Sequence, residues 1–160
     1  MPQALVGTGG FLAAVLWMDL MFDVQALNHA GTLPDEVLAS IAAYYHQVTT
    51  AADPMGNVVS LVMILAILGT VLQLSQSALP RWLRAGTLVT VLVPTVFALV
   101  VLVPAAERLG GQADAPEVQS ELARTILWGH VTCLASVLLF VGLQIAAVAR
   151  LRRAARTLPA

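Results

Sequence analysis

The chain is 160 residues long, 59% hydrophobic and only 11% charged, with a mean hydropathy of +0.85. An ordinary soluble domain carries roughly 25% charged residues, so there is too little polar surface here to cover a water-soluble globule, and residues 1–160 read as one membrane domain. The formal net charge is −1 and all eight basic residues are arginine, which leaves no basic face for nucleic acid.

Four apolar stretches reach the roughly 20 residues that cross a bilayer core. They lie near 5–27, 54–76, 80–103 and 117–150. The predicted fold is therefore an all-α integral membrane protein, an up-down bundle of four transmembrane helices. The first stretch lacks the positive flank of a secretory signal and runs past signal length, so it is expected to be a retained helix. Between the first and second stretches, residues 34–49 place Val37, Leu38, Ile41, Ala42, Tyr45 and Val48 at helical spacing. That pattern predicts an amphipathic helix on the outer surface, with Tyr44 and Tyr45 at headgroup level.

Chain breaks agree with these limits. Asp53 with Pro54, Ser77 with Pro80, and Asp114 with Pro116 each put a capping side chain and a proline where a helix should start. Pro94 is the interior proline of the third span, where it is expected to kink the helix, with the freed carbonyl satisfied by neighbours such as Thr90. The fourth stretch exceeds what a bilayer needs and is expected to tilt or to project its arginine-rich end into water. Gly7 with Gly10, Gly129 with Cys133, and Gly142 with Ala146 offer small side chains for close helix approach. Cys133 is the single cysteine, which excludes an intrachain disulfide and a thiolate cluster.

Arginine placement predicts the orientation. Arg81 and Arg84 mark the connection between spans two and three, and Arg150, Arg152, Arg153 and Arg156 mark the C-terminal end, whereas residues 28–53 contain no arginine. By the positive-inside rule both termini are cytoplasmic, with residues 28–53 and 104–121 on the outer side of a cell membrane.

Polar groups inside spans are expensive, so they are the natural place to look for function. Asp19 and Asp23 are four residues apart and share one face of the first helix; Asp23, near the helix exit, also fits a simple boundary marker. His130 lies inside the fourth span. His29 and His46 fall in the outer segment, so all three histidines sit toward one membrane face. With Asp19, Asp23, Asp53 and Glu107 they offer imidazole and carboxylate donors of the kind that suit zinc, copper or non-haem iron. The candidate catalytic residues are Asp19, Asp23, His130 and Glu107. The candidate ligands of a transition metal are His130, Asp19, Asp23 and His46. Because the first and last helices of an up-down bundle are neighbours, Asp19 and His130 are expected to meet, directly or through one water or ion.

The order of features resembles the small four-helix membrane proteins grouped with anthrone oxygenases. It is carried by the apolar first span, the outer amphipathic stretch, Val103 and Pro104 closing the third span ahead of Glu107, Arg108 and Leu109, and Trp128 near the start of the fourth. The family commonly shows an asparagine just after that proline; Ala105 and Ala106 stand here. The resemblance implies oxidation of a hydrophobic substrate near the membrane surface.

Two readings of function follow. In one, a polar pocket in the outer half of the bundle binds a metal or a small hydrophobic substrate for redox chemistry, with His130 as ligand or proton carrier. In the other, the chain is a non-enzymatic accessory or assembly subunit of a homo-oligomer or larger membrane complex. The lipid bilayer is a partner in both.

Overall fold

The computed structural model describes residues 1–51, 53–76 and 78–156. The chain folds as α1 (Pro2–Asp23), extended by a 3-10 turn over Val24–Ala26, then α2 (Asp35–Thr50), α3 (Met55–Gln73), α4 (Arg81–Phe97), a π-helical turn over Ala98–Leu102, α5 (Val103–Gly111) and α6 (Pro116–Arg156). No strand occurs among the described residues. Four helical units are long and apolar enough to cross a membrane: Pro2–Ala26, Met55–Gln73, Arg81–Gly111 and Pro116–Arg156. This is a multi-pass membrane protein of the all-α class.

The spans form a closed ring, with α3 packed between α1 and α4, and α6 packed between α4 and α1. Leu61, Leu65, Leu68, Val93, Val96, Leu138 and Leu139 point outward and exposed, as expected where the surrounding solvent is hydrocarbon. Where the spans touch, small residues let them approach. A Cβ at Gly9 of α1 would stand 2.6 Å from Val141 of α6, and one at Gly129 would collide with Leu102. Gly7, Gly10 and Gly142, expected to serve this role, have nothing within 4 Å of such an atom.

Helix starts follow the prolines and not the expected caps. Pro54 and Pro80 precede α3 and α4 without a side-chain cap, while Asp53 accepts from Asn57 at 2.6 Å and Asp114 pairs with Arg108 at 2.9 Å. Ser77 lies outside the described residues. The third span does not close at Val103. It runs on to Gly111 because the π turn, in which the Val103 N–H reaches the carbonyl of Ala98, absorbs the approach to Pro104, a residue with no N–H to offer. Around Pro94 the Thr90 hydroxyl bonds the carbonyl of Gly86, and Thr95 bonds that of Val91.

Polar residues are buried at two levels. Toward the arginine-rich end, Gln73 of α3 and Gln144 of α6 exchange amide hydrogen bonds of 3.2 and 2.9 Å, both fully enclosed. At the opposite end α2 closes the bundle. Its apolar face, Leu38, Ile41, Ala42 and Tyr45, packs on Ala105, Ala106 and Leu109 of α5 and on Ala123, Ile126 and Leu127 of α6. The expected amphipathic helix between the first two spans is present, and what differs is the place of Tyr45: the apolar stripe buries against protein, so Tyr45 turns inward and is 2% exposed. At Gly110 of α5 an added Cβ would stand 2.7 Å from the backbone N of His46, so the absent side chain is what lets α2 seat. The preceding loop is pinned as well. Arg124 donates to the carbonyls of His29 and Gly31, and Ser120 accepts from the Leu33 N–H at 2.9 Å.

Candidate functional site: a buried Asp, His and Tyr network

The seat of α2 on the bundle brings the intramembrane polar groups together. Asp23 ends α1 with its side chain fully buried. One carboxylate oxygen, Oδ2, lies 2.7 Å from Nδ1 of His130. The other, Oδ1, accepts from the hydroxyl of Tyr45 at 2.6 Å. One carboxylate thereby joins α1, α2 and α6. The separation of 3.5 Å between the Tyr45 hydroxyl and His130 Nδ1 is too long to compete with either bond.

A second pair lies one turn earlier. Asp19 accepts from the hydroxyl of Tyr44 at 2.5 Å, and the Tyr44 ring stacks on Phe22 with centroids 4.0 Å apart. The Tyr44 and Tyr45 rings meet edge to face at 5.2 Å. Carboxylates at i and i+4 share a face of α1, whereas adjacent residues on a helix point about 100° apart. Two neighbouring tyrosines of α2 nevertheless reach both carboxylates.

The two phenols lie outside the spans, and both are pushed well above the ordinary tyrosine value of about 10. Burial is the main cause in each. For Tyr44 the hydrogen bond to Asp19 adds to it; for Tyr45 the charge of Asp23 and then the hydrogen bond to it add further. Each tyrosine is therefore held as a neutral donor.

The donor geometry defines the imidazole. With Oδ2 of Asp23 on Nδ1, the proton of the ring sits at Nδ1 toward the carboxylate, which leaves Nε2 as the lone-pair nitrogen when the ring is neutral. Nε2 takes no hydrogen-bond partner among the described residues. The His130 side chain is 11% exposed while that of Asp23 is not exposed at all. A buried carboxylate behind an imidazole whose far nitrogen is free is the arrangement that orients a histidine as proton acceptor or ligand.

No family model matches the chain, and no curated protein or solved structure matches it either.

Asp19, Asp23 and His130 come together, but with different pairings from those expected. Asp23 does mark the end of α1, and it is also the carboxylate on His130, while Asp19 answers to Tyr44, with no hydrogen bond to His130. Glu107 is exposed on α5, and His46 is exposed on α2 with its carbonyl taken by Thr50. Among the described residues, His29 contributes a backbone carbonyl to Arg124 and Asp53 a bond to Asn57. Among the described residues no three His, Cys, Asp or Glu side chains are grouped as metal ligands, so the four metal-ligand candidates His130, Asp19, Asp23 and His46 do not form a common set. A groove of about 180 Å³ at the same end is lined by residues such as Asp35, Leu38, Gln112 and Gln119 and does not reach Asp23 or His130.

Sequence reasoning missed Tyr44 and Tyr45. The signal was present: two buried carboxylates need donors, and the adjacent tyrosines are the only phenols in the chain.

Proposed function

We propose that the network is a proton-accepting site for a small hydrophobic molecule that reaches it from the bilayer, with His130 as acceptor and Asp23 as the residue that orients it. The observation that carries this reading is the 2.7 Å contact of Asp23 Oδ2 with His130 Nδ1, which leaves Nε2 unpartnered on the exposed edge of the ring. A base set in this way withdraws a proton from an acidic O–H or N–H brought within hydrogen-bond reach. Trp128 and Val131, either side of His130 on α6, are both exposed, which supports an approach from the lipid-facing side. A phenol or another weakly acidic, apolar ring compound has the required chemistry. The end of the bundle that carries α2 is the outer one in this reading, because the arginines gather at the other.

The test is nitrogen NMR of the histidine rings in the full chain in detergent or nanodiscs. His130 should show its proton on Nδ1, and Asp23→Asn should remove that preference. Titration with an apolar phenol should move the His130 resonances, while the methyl ether of the same phenol, which has no proton to give, should not. Equal responses to phenol and ether, or no response to either, would sink the proposal.

A further inference from the structure

Charge is separated along the bundle axis. All nine acidic residues fall within 19–53 and 107–121, while every arginine except Arg108 and Arg124 lies in 81–84 or 150–156. The stretch of α6 from His130 to Arg150 measures about 30 Å at 1.5 Å per residue, close to the thickness of a bilayer hydrocarbon core. If the acidic end meets one headgroup layer, the arginines meet the other.

Those arginines do not simply project into solvent. Ala146, Ala149, Arg150 and Arg153 follow one another at helical spacing on one face of α6, and with Ala78 they line a groove of about 460 Å³. The alanines leave the floor of the groove open. Arg150 also lies over the ring of Trp82, 5.8 Å from guanidinium carbon to ring centroid, and Trp82 is itself 57% exposed. A cation stacked on an aromatic face keeps its outward N–H donors available and pre-positioned. No aspartate or glutamate of the sequence lies in 54–106 or after Glu121 to neutralise them.

We infer that this groove binds the phosphate of an anionic phospholipid, with Arg150 and Arg153 as its donors and Trp82 alongside at the depth of the glycerol backbone. Guanidinium groups match phosphate oxygens in planar, two-pronged geometry, and the acyl chains continue along the exposed apolar surface of the spans. The inference is independent of the proton-accepting site, which lies at the opposite end.

The experiment uses the full chain with Trp17→Phe and Trp128→Phe, so that Trp82 is the sole indole, in nanodiscs whose acyl chains carry bromine as a contact quencher. Brominated phosphatidylglycerol should quench Trp82 more strongly than brominated phosphatidylcholine. Each single change Arg150→Gln or Arg153→Gln should lower that preference at least about tenfold, the scale of a lost hydrogen bond to a charged group. Arg152→Gln removes the same charge outside the groove and should lower the preference clearly less than either. Equal quenching by the two lipids, or an equal loss with Arg152→Gln, overturns the site. Soluble glycerol phosphate should not compete; if it abolishes the preference, the occupant is a free phosphate compound and the lipid assignment falls. Native mass spectrometry of the unsubstituted chain gives a second measure, with phosphatidylglycerol retained over phosphatidylcholine and the converse result overturning it.

Discussion

Asp23 and His130 are held 2.7 Å apart at the junction of α1 and α6, with the carboxylate fully enclosed. Removing either partner strands the other in a water-free site, a loss of about 3–5 kcal/mol for a buried pair. Removing both strands neither. Thermal unfolding in detergent of Asp23→Ala, His130→Ala and the double variant should therefore give a double loss clearly smaller than the sum of the single ones. Strictly additive losses would show that the two residues do not support each other.

The two tyrosines should differ in weight. Tyr45 is buried and its removal leaves Oδ1 of Asp23 without a donor, so Tyr45→Phe is expected to cost about 1–3 kcal/mol. Tyr44 and Asp19 are only half-buried, and water can replace the lost donor, so Tyr44→Phe should cost less than Tyr45→Phe. The same unfolding measurement checks the order, and a larger loss for Tyr44→Phe would contradict the placement of α2.

Alkaline titration offers a test with few overlapping signals, since the chain has two tyrosines. Both phenols are raised above their ordinary value by burial and by their carboxylate partners. A raised value means the folded state favours the neutral phenol. The resulting stability is complete below about pH 10 and is lost as pH rises toward the folded values. Tyrosinate absorbance should therefore stay absent in the folded protein at pH values where the denatured chain already shows it. Coincident titration of folded and denatured chains would exclude the network.

Two glycines should respond unequally to alanine. At Gly110 the added Cβ meets the backbone of His46, which cannot move without unseating α2. At Gly129 it meets the end of the Leu102 side chain, which can rotate. Overpacking costs typically about 1–3 kcal/mol, and Gly110→Ala should lie nearer the upper figure. If Gly129→Ala is the more damaging, α2 is held less tightly than the packing at Gly110 implies.

Orientation is tested by labelling single cysteines in a Cys133→Ala background. Ser40→Cys and Gln112→Cys should react from the side opposite to Arg156→Cys. Reaction of Ser40→Cys and Arg156→Cys from the same side would overturn the arginine-based orientation.

The spans were legible in the sequence because their signal is composition: long apolar runs with prolines at the breaks. The extension of the third span from Val103 to Gly111 was not, since Pro104 ordinarily ends a helix and only a π turn, a rare local solution, carries the backbone past it. In the site, Asp19, Asp23 and His130 could be picked out as polar groups in hydrocarbon, one residue at a time. Their pairing could not, because it depends on the path of α2. An amphipathic stripe says that a face is buried without saying whether lipid or protein covers it, and that distinction decides whether Tyr45 lies among headgroups or on Asp23.

The carboxylate and the imidazole of the central pair are separated by 107 positions in the chain. At a synthesis rate of about 5–20 residues per second, Asp23 leaves the ribosome several seconds before the helix that carries its partner exists. During that interval the first span has to reside in the membrane with an unmatched acid near one end, and the tyrosines of α2 are the first donors to arrive. The finished contact is thus a late event in biogenesis, closed when the last span inserts. A chain truncated before residue 130 would keep its hydrophobic spans yet retain an unpaired acid within the membrane, a chemical mark by which quality control could tell incomplete copies from complete ones.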